Sequence, residues 1–236
     1  MKQFTKKNDQ NIKIMFTKIK KIIQKNLKIK NIKNKKDGSF LTNNDIIIEK
    51  KLKKFFSKKF KEVNYITEET GKIKQKINIQ KPTIIIDPID GTENFIFLKK
   101  NYGISISILN ISRKNKHFLF LPNEKILIND INIKSISKKP HKKNKINLFS
   151  TNCFKKKNNF DKHSRFYGSN TYAFVDFILG NCRSFQNCYG AKVWDCYTGL
   201  SLCNKIKSCK IEISGKTINE WLKKPSFLTR FKVSWL

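Results

Sequence analysis

The chain alternates short apolar runs with lysine-rich polar stretches, and the spacing of the apolar residues separates helices from strands. Over Asn11–Ile32, the residues Ile12, Met15, Phe16, Ile19, Ile22, Ile23 and Leu27 recur near helical spacing, which predicts an amphipathic helix with a lysine-rich outer face. A basic helix of this kind can touch a membrane, although covering a sheet is its more usual use. Thr42-Asn43-Asn44-Asp45 has the form of a capping box ahead of Ile46, Ile47, Leu52, Phe55 and Phe56, placing a second helix at about Asn43–Phe60. Strands are predicted at Val63–Thr67, Lys74–Ile79 and Thr83–Ile86, the last from an unbroken β-branched run. Tyr102–Ser112 sets Ile104, Ile106 and Ile108 against Ser105, Ser107 and Leu109, the alternation of a half-buried strand, and His117–Leu121 and Ile146–Ser150 read similarly. Between the last two, Asn123–Lys145 is polar and predicts a loop with one short strand at Ile131–Ile136.

The second half continues with a strand ending at Tyr167, a helix at Thr171–Leu179, a strand at Arg183–Asn187, a helix at Trp194–Lys205 and a strand at Lys210–Ile213. Alternation of this kind predicts an α/β class. A boundary near residue 140 divides an N-terminal α+β lobe, 1–140, from a C-terminal α/β lobe, 141–236.

Composition changes this picture little. A chain of 236 residues can bury a full core as one large domain or two small ones. Its 51 Lys+Arg against 17 Asp+Glu give a formal net charge of +34, which admits a nucleic-acid partner. Only four of those cations are arginines, however, and Lys, Ile, Asn and Phe all belong to A/T-rich codons, so codon bias accounts for the charge without a polyanion. The charge is also spread along the chain rather than gathered in one block. The six cysteines form no C-x-x-C pair, and reduced thiols are expected. Lysines stud residues 1–36 where a signal peptide would be apolar, and no run reaches the roughly 18–20 apolar residues of a membrane span. A cytoplasmic protein with no membrane partner is the expectation.

The chemistry concentrates at Ile84-Ile85-Ile86-Asp87-Pro88-Ile89-Asp90-Gly91-Thr92, where a buried strand ends in two carboxylates bracketing a proline. Mg²⁺ takes oxygen ligands, often one or two carboxylates with water and substrate phosphate, and such a turn can also aim the Ile89 carbonyl at the ion. The N–H groups of Gly91 and Thr92, opening a short helix at Glu93–Leu98, can hold an anion. Asp-Pro and Asp-Gly are also ordinary turn dipeptides, so a plain β-turn stays open from these residues alone.

Three further segments add weight: Gly38-Ser39-Phe40-Leu41-Thr42-Asn43-Asn44-Asp45, Ile66-Thr67-Glu68-Glu69-Thr70-Gly71 and Val193-Trp194-Asp195-Cys196-Tyr197-Thr198-Gly199. In this order the four segments resemble the inositol monophosphatase family of metal-dependent phosphatases, with its pattern T-x-x-D, E-E, D-P-[IL]-D-G-T and W-D-x-x-x-G. The resemblance runs from about Asp37 to Cys203 and implies a layered αβαβα fold with Mg²⁺-dependent hydrolysis of a phosphate monoester. It implies that Glu68, Asp87, the Ile89 carbonyl, Asp90 and Asp195 hold metal. It implies catalytic roles for Glu68, Asp45 and Thr92, the last two acting as a hydrogen-bonded pair that orients and deprotonates the attacking water. Gly91 and Thr92 would hold phosphate, and Gly168, Ser169 and Lys192 would meet substrate. Plain structural readings stand beside these: a helix cap for Asp45, a helix-terminal charge for Asp195, and core filling for Trp194 and Cys196.

The departures concern substrate. Inositol-specific relatives carry a glutamate shortly before W-D, whereas Phe185–Lys192 here has no carboxylate, and Lys192 offers a cation to a second anionic group. A 3′(2′),5′-bisphosphate nucleotidase is therefore a second option beside an inositol monophosphate-like substrate. Asn170 departs from the family's G-[ST]-A turn, and the usual E-A-G-G after Gly199 is replaced by Lys205-Ile206-Lys207-Ser208. An RNA-associated regulatory protein retaining the fold is the option from another class. The expected partners are a small phosphorylated substrate and, open at this point, a second copy of the chain in a homodimer.

Overall fold

The computed structural model describes residues 14, 17–27, 31–36, 38–70, 77–78, 80–109, 115–155, 160–215, 220 and 228–236. Four of the six residues of the predicted strand Lys74–Ile79, and Asp37, lie outside them.

Among the described residues Ile14 and 17–24 are helical (α1), and the helix ends before the predicted Ile32: residues 25–26 turn and Ile32–Asn34 is a strand, β1. β1 pairs antiparallel with β2 (Phe40–Thr42), which hands directly into α2 (Asn43–Ser57). Thr42 caps α2 as its sequence predicts, its hydroxyl accepting from Asn44 N while Asp45 reaches back to the Thr42 N–H.

A first five-stranded sheet, in the order β3-β4-β5-β6-β7, comprises Asn64–Thr67, Thr83–Asp90, Gly103–Leu109, Lys116–Leu121 and Ile126–Asn129. β4 does not stop at Ile86 before a turn. It runs through Asp87-Pro88-Ile89-Asp90, because β5 pairs with both acids, Asp87 with Ser105 and Asp90 with Gly103, across a bulge that absorbs the proline. β5 is buried on both faces rather than half-buried: Ile104, Ile106 and Ile108 meet α1 and α2, while Ser105 and Ser107 bond to a helix on the other side. In the predicted loop Asn123–Lys145, the strand is β7, and Ile133–Ile136 is a helical turn, α3. Asn132 Nδ2 bonds to Leu127 O and Asn129 Oδ1 accepts from Ile131 N, which closes the chain into that turn.

The second sheet, ordered β11-β12-β10-β8-β9, comprises Cys209–Gly215, Thr229–Trp235, Ser184–Ala191, Asn147–Ser150 and Ser164–Tyr167. Helices α4 (Asn170–Ile178) and α5 (Val193–Cys203) lie between the two sheets, so the layers run α1/α2, first sheet, α4/α5, second sheet. Two cores follow from strand alternation: Ile84 and Ile86 face α1 and α2 with Ile48, Leu52 and Phe56, whereas Ile85 faces α4, α5 and the second sheet with Phe174, Phe185 and Phe231. Among the described residues no helix is long and apolar enough to cross a membrane, and the six cysteines are free thiols.

Candidate active site

The bulge of β4, the turn after β3 and the starts of α4 and α5 converge on one cavity of about 780 Å³, lined among others by Glu68, Asp87, Asp90, Gly91, Thr92, Gly168, Lys192 and Asp195. Asp87 is 1% exposed, and its Oδ1 has no hydrogen-bond partner. Burial, and next the charge of Glu68, push its pKa well above the usual carboxylate value, with Asp90 and Asp195 adding to the rise. Asp90 accepts from Ser169 Oγ at 3.0 Å and from Thr171 N, bonds that partly offset burial and leave its pKa at about 6. Asp195 at the start of α5 accepts from Lys192 N at 2.9 Å, and burial followed by Glu68 raises its pKa well above normal. The plain helix-terminal role of Asp195 is thus present, but in the same cavity as the other acids.

Glu68 lines the same cavity but is paired with a lysine. Lys35 Nζ bonds both Glu68 Oε1 and Glu69 Oε1 at 2.7 Å, and among the described residues no three acidic, histidine or cysteine side chains are already gathered closely enough to hold a metal ion. The four predicted metal-holding carboxylates share one cavity, and Glu68 is paired with Lys35. Burial, then Glu68, raises Glu69 to about 8. The donor set nevertheless suits a hard cation, since Asp87 presents a buried acceptor with nothing to neutralise it.

Asp45 is fully buried. Its Oδ2 accepts from Thr42 N at 2.8 Å, Thr92 Oγ1 approaches Oδ1 at 3.4 Å, and burial lifts its pKa to about 6. Thr92 Oγ1 also reaches the Ile89 carbonyl at 3.0 Å, so its one hydrogen serves Ile89 or Asp45 but not both at once. Gly91 adopts φ +83°, and a Cβ there would lie 2.8 Å from Ser169 Cβ, so only glycine permits the close approach of α4. Ser169 is fully buried, caps α4 by accepting from Tyr172 N at 3.0 Å and donates to Asp90. Its predicted contact with substrate is therefore corrected to a hold on an acid, whereas Gly168 and Lys192 do face the cavity.

Sequence reasoning missed three groups. Glu49, fully buried, accepts from Thr67 Oγ1 at 2.8 Å and from Glu69 N and Thr70 N at 3.1 Å, clamping the turn that carries Glu68. Burial alone would raise its pKa, but the bonds from Thr70 and Lys53 hold it below normal. Its signal was an acid four residues after Asp45 on the apolar stripe of α2. Lys35 is the second, and nothing in its lysine-rich surroundings distinguished it. The third is the pair Lys155 and Tyr189: Lys155 Nζ lies 5.2 Å from the Tyr189 ring centre, as Lys192 Nζ does from Trp194, and all four residues line the cavity.

A layered α/β fold that brings acids from both halves of the chain to one cleft defines a phosphatase-type site. The chain belongs to the inositol monophosphatase family, whose sequence profile matches residues 1–118. Membership makes it a phosphatase, a hydrolase. Solved structures agree on the fold over nearly the whole chain. An IMPase/NADP phosphatase complexed with Mg²⁺ and phosphate has a TM-score of 0.72 at 19% identity, over 97% of this chain and 90% of that one. Staphylococcal inositol monophosphatase-1 gives 0.73 at 19%, over 97% and 90%. The extragenic suppressor protein SuhB from Bartonella henselae gives 0.70 at 13%, over 95% and 93%. No curated protein sequence matches the chain.

Proposed function

We propose that this protein is a Mg²⁺-dependent phosphomonoesterase that hydrolyses a small phosphorylated metabolite by attack of water. The observation that carries the reading is Asp87 Oδ1, a buried carboxylate oxygen without a partner, in a cavity it shares with Glu68, Asp90, Glu93 and Asp195. Asp87, Asp90, Asp195, Glu68 and the Ile89 carbonyl are the groups that would hold magnesium, Glu68 after turning from Lys35. Bound there, magnesium supplies neutralisation of the phosphoryl oxygens, acidification of water and stabilisation of the leaving alkoxide. The similar IMPase/NADP phosphatase was solved with Mg²⁺ and phosphate, which supports the assignment.

The chain's own groups do the rest. Asp45, raised to about 6, is poised to accept a proton near neutrality, relayed through Thr92 Oγ1. Gly91 and Thr92 orient the phosphate through backbone N–H groups, and Asn94 Nδ2, bonded to Asn101 O at 2.9 Å, braces the segment behind them. Lys155 and Lys192, each over an aromatic ring, make no ion pair among the described residues, and they favour substrates with a second anionic group, such as a 3′(2′),5′-bisphosphate nucleotide. Phosphate release from inositol 1-phosphate, sugar phosphates and adenosine 3′,5′-bisphosphate, with and without Mg²⁺, tests the proposal. Release that survives chelation, or an Asp87→Asn variant with full activity, would overturn it.

A further inference from the structure

We infer that Ser105 is a positioning residue that fixes the spacing between Asp87 and Asp195, the two acids that different layers bring to the cavity; the inference rests on the metal-dependent reading above. Ser105 is the cross-strand partner of Asp87, so its Cα is tied to that acid by the sheet ladder. Ser105 is 2% exposed, and its hydroxyl donates to the Trp194 carbonyl at 3.0 Å, one residue before Asp195. A single side chain therefore joins the strand that bears one acid to the helix start that bears the other.

The neighbouring positions of β5 show the same design. Gly103 pairs with Asp90, and a Cβ at Gly103 would lie 2.4 Å from Thr171 Cγ2, so the missing side chain lets α4 bring the Thr171 N–H to Asp90. β5 carries none of the acids, yet its face toward α4 and α5 sets where they stand. Ser107 supplies an internal control. It is equally buried and bonds Thr198 Oγ1 at 2.8 Å and His117 Nδ1 at 2.9 Å, but its cross-strand partner is the apolar Ile85, and Thr198 lies a turn further along α5.

Groups that orient metal ligands from behind typically change metal affinity by roughly 10–100-fold when removed. Mg²⁺ binding to the full chain, measured by titration calorimetry, is therefore expected to weaken at least about 10-fold in Ser105→Ala. It should stay close to wild type in Ser107→Ala and return in Ser105→Thr, which keeps the hydroxyl. Both alanine variants should lower the unfolding midpoint, Ser107→Ala at least as much as Ser105→Ala, since it loses two buried hydrogen bonds against one. Equal weakening of Mg²⁺ binding in the two, or none in Ser105→Ala, overturns the inference. A wild type that binds no Mg²⁺ defeats the proposed function instead, and the positioning is then read in chelator. There, Asp195→Asn should raise the unfolding midpoint by relieving repulsion with Asp87, and raise it less when Ser105 is alanine. An equal rise in both backgrounds overturns the inference.

Discussion

Gly199 in α5 is where two opposed effects can be weighed against each other. Alanine in the middle of a helix gains about 1 kcal/mol over glycine, so Gly199→Ala would stabilise a solvent-facing helix. Here the added Cβ would lie 2.1 Å from Phe174 Cδ2, 2.3 Å from Cγ and 2.4 Å from Cε2. Ordinary contact begins near 3.4 Å, so the ring would have to retreat by about 1.3 Å. It cannot retreat freely, because Phe174 is fully buried and packed edge-on to Phe185 at 5.0 Å and face-on to Phe231 at 5.3 Å. Overpacking of this depth costs about 3 kcal/mol, which exceeds the helical gain and leaves a net loss of roughly 2 kcal/mol. For a chain of this size the thermal midpoint should fall by about 4–8 °C, read by circular dichroism. Phe174→Leu in the same background should recover part of the loss, since it removes the atoms in the way. An unchanged or higher midpoint in Gly199→Ala would refute the reasoning, because it would mean the α4–α5 contact yields more cheaply than its packing indicates.

Three further outcomes are expected. Burial holds His117 down to about 4 from 6.5, so its neutral imidazole contributes stability, on the order of 3 kcal/mol, that is complete above pH 6.5 and lost as pH falls through 4; His117→Gln should flatten that acid limb in urea titrations, and an unaltered limb would assign it elsewhere. Thr92→Ala and Asp45→Asn should each lower turnover by roughly 10²–10⁴ with little further loss in the double variant, whereas additive losses would separate the two residues. Lys155→Ala and Lys192→Ala should raise the Michaelis constant for adenosine 3′,5′-bisphosphate more than for inositol 1-phosphate, with added salt narrowing the gap, and equal effects on both substrates would remove these lysines from selectivity.

The acids were legible because their chemistry is local: Asp87, Asp90, Gly91 and Thr92 sit in one short segment, and Asp45 and Asp195 each open a helix whose start the sequence marks. What surrounds them was not, because it depends on which element becomes whose neighbour. Pro88 and Gly91 read as a turn, and only the pairing of β5 with both acids keeps the segment in a strand. Ser105 and Ser107 read as a solvent face until α5 covers them. Glu49 lies on the apolar stripe of α2, but nothing local says that it faces the turn after β3, which arrives from residues twenty positions away. No strand is predicted at Thr229–Trp235, and nothing in that segment says that it lies between β10 and β11.

That placement has a consequence for how the molecule is made. β12 fills an interior slot of its sheet, with β10 on one side and β11 on the other. Strands β10 and β11 both leave the ribosome before the strand that joins them, so until translation passes Trp235 the growing chain holds two unsatisfied strand edges, one on each side of a gap. The first sheet, complete by Asn129, suffers no such delay. A nascent chain stalled before Thr229 would therefore have one half able to pair all its strands and another exposing sticky edges, and it is this second half that a chaperone would need to shield.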